Sequence, residues 1–91
     1  MVSPPTTGKH AKTYVAVFAE PLRSNVRWDD IEALMRAMGA VVSEGRGSRV
    51  RVLLGAEEAV FHRPHPEKEC DKGALKSVRT FLTKACGGAS A

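Results

Sequence analysis

No apolar run in this chain approaches the roughly 20 residues that a bilayer span requires, and the first residues, Met1 to Gly8, hold no hydrophobic signal core. Membrane insertion and secretion are therefore not expected, and a cytoplasmic location is. Cysteine is scarce as well. Cys70 and Cys86 bracket a predicted helix of about 15 residues, which sets them roughly 20 Å apart, against the ~4.4 to 6.8 Å between Cα atoms that a disulfide tolerates. Two reduced thiols are expected. No internal repeat, heptad or low-complexity block is present, and no glycine-rich loop ends in the Gly-Lys-Ser/Thr of a nucleotide-binding P-loop. No Ser/His/Asp order or paired buried carboxylates suggest a hydrolase of those kinds. At 91 residues the chain allows one small domain, too small for a large enclosed substrate cavity.

What is present is positive charge in one half. The net charge is +4; residues 1–45 carry five basic and five acidic side chains, whereas residues 46–91 carry nine basic and five acidic. A localised cationic excess suits a phosphate backbone, because each neutralised phosphate releases condensed counterions. The plain alternative is a merely basic surface.

Residues 1–8, with Pro4 and Pro5, read as a leader, residues 9–87 as one domain and residues 88–91 as a tail. From Lys9 the spacing of Ala11, Tyr14, Val15 and Phe18 predicts an amphipathic helix that Pro21 stops. Trp28, Ile31, Leu34, Met35 and Met38 predict a second helix, with Asp29 and Asp30 in its first turn and Gly39 as its cap. Ala40 to Ser43 reads as a strand. Val50, Val52 and Leu54 alternate with Arg49 and Arg51, the period of a half-buried strand. Gly55 to Glu58 then makes a turn, and Ala59 to Arg63 is a third strand that Pro64 and Pro66 end. Asp71 caps a last helix whose stripe runs from Ala74 to Ala85, while Lys72, Lys76 and Arg79 line up as a basic rail. The result is an α+β two-layer sandwich with a three-stranded antiparallel meander. Without its first helix, this is the element order α-β-β-β-α of a double-stranded-RNA-binding domain.

The candidate chemistry gathers at the second and third strands. Gly45-Arg46-Gly47-Ser48 is a tight corner whose N–H groups can approach a phosphate, or simply a hairpin turn. Arg49 and Arg51 share one strand face about 7 Å apart, near the spacing of successive phosphates, beside a strand carrying His62 and Arg63. His62 and His65 are the plausible proton-transfer groups of this half, since metal-free RNA cleavage needs a base for the 2′-hydroxyl and an acid for the leaving 5′-oxygen. His65 also reads as a structural ring at a Pro-flanked corner. As metal ligands, His62, His65 and Cys70 are irregularly spaced, and no metal or other cofactor is expected.

From about Trp28 to Ala85 the chain resembles the HicA toxins of type II toxin–antitoxin pairs. The resemblance rests on Met38-Gly39-Ala40, on Gly47-Ser48, on Pro64-His65-Pro66, and on Asp71-Lys72-Gly73-Ala74-Leu75-Lys76-Ser77-Val78. It implies a double-stranded-RNA-binding-like fold, metal-independent mRNA cleavage, and a HicB-type antitoxin through which any oligomer forms. In most members of that family a histidine directly follows Gly-Ser; here that residue is Arg49, which holds a phosphate but takes no proton near neutrality. Three outcomes are compatible with this departure. His62 performs the proton transfer with Arg49 stabilising charge, or His65 does, or RNA and antitoxin binding persist without cleavage. Expected RNA contacts are Gly47, Ser48, Arg46, Arg51, Arg63, Lys72, Lys76 and Arg79.

Overall fold

A computed structural model describes residues 8–21, 26–63 and 69–87. Three helices and three strands follow one another as α1 (Gly8–Val17), α2 (Trp28–Ala37), β1 (Val41–Glu44), β2 (Arg49–Leu54), β3 (Glu57–His62) and α3 (Lys72–Ala85). The strands form one antiparallel sheet in the order β1-β2-β3. This is the α+β arrangement that the spacing of apolar residues predicts. The leader and tail positions 1–7 and 88–91 and the Pro64-His65-Pro66 corner lie outside the described residues. Gly8, placed in the leader by the sequence, opens α1.

One apolar core joins the layers. Val50, Val52 and Leu54 of β2 are essentially fully buried against Ile31, Leu34 and Met35 of α2 and Leu75, Val78 and Leu82 of α3. An aromatic row crosses it, with Phe61 centred 5.6 Å from Trp28 and 5.6 Å, edge-on, from Phe81. Such pairs add to plain area burial because edge and face carry opposite partial charge. α2 ends as Gly39 predicts. With φ of 104°, this residue lets its own N–H reach the Arg36 carbonyl and the Ala40 N–H reach that of Met35, which satisfies two orphan acceptors at the helix end. Asp71 caps α3 by accepting from the Ala74 N–H at 2.7 Å.

Two readings need correction. α1 stops at Val17, before Pro21, and its buried anchor is Val17 while Val15 is 64% exposed. Tyr14 and Phe18 lie on the face their spacing suggests, 4.8 Å apart and half-buried against the core, while Val17 takes the buried place expected of Val15. Arg79 likewise does not continue the line of Lys72 and Lys76. Its guanidinium donates to the carbonyls of Val17 (3.0 Å) and Ala19 (3.0 Å), pairs with Glu20 (2.7 Å) and lies over the Phe18 ring. The carbonyls that end a helix lack intrahelical donors, and α1 lies against α3 where a planar fork can serve two of them. Arg79→Ala is therefore expected to lower stability by about 1–3 kcal/mol, seen as a fall in melting temperature, and Arg79→Lys to recover only part of it.

The cysteines are both free. Burial, with the Asp71 carboxylate adding to it, pushes the Cys70 thiol up to about 11. Its thiolate fraction at neutral pH is then smaller than that of an ordinary thiol by more than about 100-fold. A thiol reagent at pH 7 should label half-buried Cys86 promptly and Cys70 only after denaturant is added, a difference that peptide mapping reads directly.

Candidate nucleic-acid interface

The helices cover one face of the sheet and leave the other open. The side chains of Ser43 on β1, Arg49, Arg51 and Leu53 on β2, and Glu58, Val60 and His62 on β3 all lie exposed. Strand alternation produces this, since it is the opposite parity to Val50, Val52 and Phe61.

The cationic end of this face is built by two turns. Between β1 and β2 the Arg49 N–H closes on the Arg46 carbonyl at 3.2 Å, and Gly47 takes φ of 63° at the first central position. That position in a type II′ turn favours glycine. Gly45 holds the corner close: its N–H donates to the Arg49 carbonyl at 2.9 Å, and a Cβ there would meet the Arg49 side chain at 3.4 Å. Between β2 and β3 only Gly55 and Ala56 intervene, so Glu57 and Glu58, expected in the turn, belong to the strand. This short turn fixes the register. Arg49 falls directly opposite His62, and Arg51 opposite Val60.

The Arg63 N–H donates to the Ser48 carbonyl at 2.7 Å, which makes Ser48 and Arg63 a hydrogen-bonded pair and the next pair, Arg49 and His62, a non-hydrogen-bonded one. Cα atoms in such pairs approach to about 4.5 Å, so an imidazole and a guanidinium stand side by side in solvent. Arg51 lies one step further along, in a long ion pair of 3.7 Å with Glu58. Both partners are more than half exposed, so this pair is weak and leaves the guanidinium open to an anion. A concavity of about 370 Å³ runs along this end, lined by Ser43, Glu44, Gly45, Arg46, Arg49, Arg51 and Val60.

Behind this pair stands a network that the sequence did not reveal. Glu32 of α2 accepts from Trp28 Nε1 (2.9 Å), Arg63 (3.0 Å) and Arg36 (3.2 Å), and Arg63 also reaches Glu44 at 3.5 Å. Arg63, expected as an RNA contact, thereby ties the ends of β1 and β3 to α2. The contacts within α2 are legible as i, i+4 spacings, but the link from Glu32 to Arg63 spans 31 residues and has no local signal. Burial works to raise the Glu32 carboxyl, and the bonds from Trp28, Arg63 and Arg36 outweigh it and leave it below its ordinary range.

The sign of the pH effect follows. Stability supplied by this carboxylate is fully present above its unfolded value near ~4.3 and is lost as pH falls through the lower folded value. Urea unfolding should show wild type losing this group's contribution progressively as pH falls below about 4.3. Glu32→Gln, weaker at pH 7, should lack that component.

The basic rail lies elsewhere. Lys76 lines a groove of about 360 Å³ between β3 and α3, with Glu57, Glu58, Ala59, Ser77, Thr80, Phe81 and Lys84. Only Glu57, Glu58 and Ala59 supply its strand side, so this groove follows the end of β3 far from His62. Lys72 is exposed on α3. The structure thus brings Arg46, Gly47, Ser48, Arg49, Arg51 and His62 together and sets Lys76 apart, in the helical layer. Lys84, eight residues after Lys76, joins Lys76 there and was not singled out. His65 lies outside the described residues.

Among the described residues, no group of three or more His, Cys, Asp or Glu is placed to hold a metal ion, and no helix is long and apolar enough to cross a membrane. Neither the curated proteins nor the solved structures gave a match to this chain. A family model described as the HicA toxin of bacterial toxin–antitoxin systems matches residues 28–86. That span begins at Trp28, the first residue of α2, and ends just past α3, so it takes in the whole sheet and both helices that follow α1. The chain therefore belongs to the HicA toxin family.

Proposed function

We propose that this toxin binds mRNA on the open face of its sheet and cleaves it without a metal ion, and that a HicB-type antitoxin neutralises it in the cytoplasm. The observation that carries this reading is the cross-strand pair of Arg49 and His62, solvent-exposed beside Arg46 and Arg51. Guanidinium forks hold phosphate oxygens and stabilise the charge that builds on phosphorus. An imidazole one strand away can exchange a proton with the 2′-hydroxyl or the leaving 5′-oxygen, which lie on either side of that phosphorus. The second proton-transfer group in this reading is His65. The N–H groups of Gly47 and Ser48 donate to no described acceptor and are oriented by the turn, so they serve as further phosphate contacts. Lys72 and Lys76, on α3, grip the backbone of a longer RNA.

The test is a purified protein incubated with end-labelled mRNA, with and without EDTA. The expected products end in a 2′,3′-cyclic phosphate on one side and a 5′-hydroxyl on the other, in equal amount with the chelator. A second reading, RNA binding without chemistry, draws on Arg49 itself, which stays protonated and cannot serve as a base. Intact RNA, bound with an affinity that falls steeply as salt rises, would establish that reading and end the catalytic one.

A further inference from the structure

β3 is an edge strand, and its free side is defined by the turn that precedes it. Leu54 and Glu57 close a two-residue hairpin and so form a hydrogen-bonded pair, and such pairs alternate along an antiparallel ladder. Glu58, Val60 and His62 consequently turn their own N–H and C=O groups away from β2. Among the described residues no strand meets them. The edge also lacks the usual protection, for Glu57–His62 contains neither lysine nor proline, and Val60 at its centre is 55% exposed. On the helical side α3 leaves the groove of Lys76 and Thr80 open beside the strand.

We propose that this edge pairs with β3 of a second copy of the chain, antiparallel, about a two-fold axis between the two Val60 residues. In that register Val60 meets Val60, and Glu58 of each copy meets His62 of the other, on the open face of a continuous six-stranded sheet. The sequence of the strand selects this register. Moving the axis by one residue sets Val60 against Glu58 or His62, and moving it by two opposes a pair of glutamates or a pair of histidines. Only the Val60-centred pairing matches apolar with apolar and a carboxylate with an imidazole that can donate to it, and directly opposed residues are the unit of sheet stabilisation. Each imidazole then has a carboxylate from the other copy on one side, while Arg49 faces it directly and Arg51 diagonally on its own chain. Glu58 already lies 3.7 Å from Arg51, so the carboxylate bridges the two copies' charges. A two-fold axis makes the contact self-limiting, because both edges are consumed.

Sedimentation velocity over a concentration series, without RNA, tests this independently of the ribonuclease reading. Wild type should shift to dimer as concentration rises. Val60→Lys, which opposes two ammonium groups at the axis, and Glu58→Lys should each weaken association by about tenfold or more, with melting temperatures near wild type. Combining Glu58→Lys with His62→Glu sets opposite charges across the contact and should restore the dimer. In a Cys86→Ser background, Val60→Cys should oxidise to a covalent dimer and Leu53→Cys should not. A wild type that stays monomeric throughout overturns the proposal. So does a Val60→Lys protein that associates like wild type, or a charge-swapped double variant no better than Glu58→Lys alone.

Discussion

His62→Ala should lower the rate of RNA cleavage by about 100- to 10,000-fold, the range a positioned acid or base contributes. The side chain is exposed and appears in no hydrogen bond or ion pair among the described residues, so its removal should leave stability within about 0.5 kcal/mol of wild type. Equal melting curves with unequal rates would assign the loss to chemistry. Arg49→Ala should cost about 100- to 1,000-fold, as expected for a group that stabilises transition-state charge, and Arg49→Lys should recover only part because an ammonium lacks the planar fork. Gel assays of a labelled transcript under single-turnover conditions measure all three. Unchanged cleavage in His62→Ala would remove this imidazole from the mechanism and shift the proton transfer to His65.

The largest stability effect should come from Trp28, which is 2% exposed and serves two layers at once. Its ring packs on Phe61 of the sheet, while its N–H donates to Glu32, the carboxylate that also holds Arg63 beside His62. Trp28→Ala should cost about 3–5 kcal/mol through the cavity it leaves. A domain of this size has a total stability of only about 5–15 kcal/mol, so this variant should be substantially unfolded at elevated temperature. Trp28→Phe keeps the aromatic contact and loses the donor, and should cost about 1–2 kcal/mol, with Glu32 left one bond short. Urea midpoints with an unchanged slope would confirm that both act on the folded state.

How much of this was legible in advance varies with the range of the interaction. The alternation of Val50, Val52 and Leu54 with Arg49 and Arg51 gave β2 and its two faces, and Gly39 and Asp71 marked helix ends that the structure reproduces. These are signals carried within a few residues. The burial of Val17 in place of Val15 and the commitment of Arg79 to the carbonyls of Val17 and Ala19 depend on where α1 lies against α3, which periodicity does not encode. The site divides in the same way. That Arg49 and Arg51 share a face was readable, whereas the direct pairing of Arg49 with His62 required knowing that Glu57 and Glu58 are strand rather than turn.

That pairing is dictated from a distance. The corner at Gly55 and Ala56, with Gly55 at φ of 63°, lies six residues from Arg49 on one side and six from His62 on the other, roughly 20 Å along the strands. One residue of slip set by this corner would turn β3 over, pointing His62 at the core and Phe61 at solvent, so the imidazole's place beside the guanidinium and the aromatic row stand or fall together. Its two residues therefore hold the core and the Arg49–His62 pair in place at once, although they lie at the opposite end of both strands.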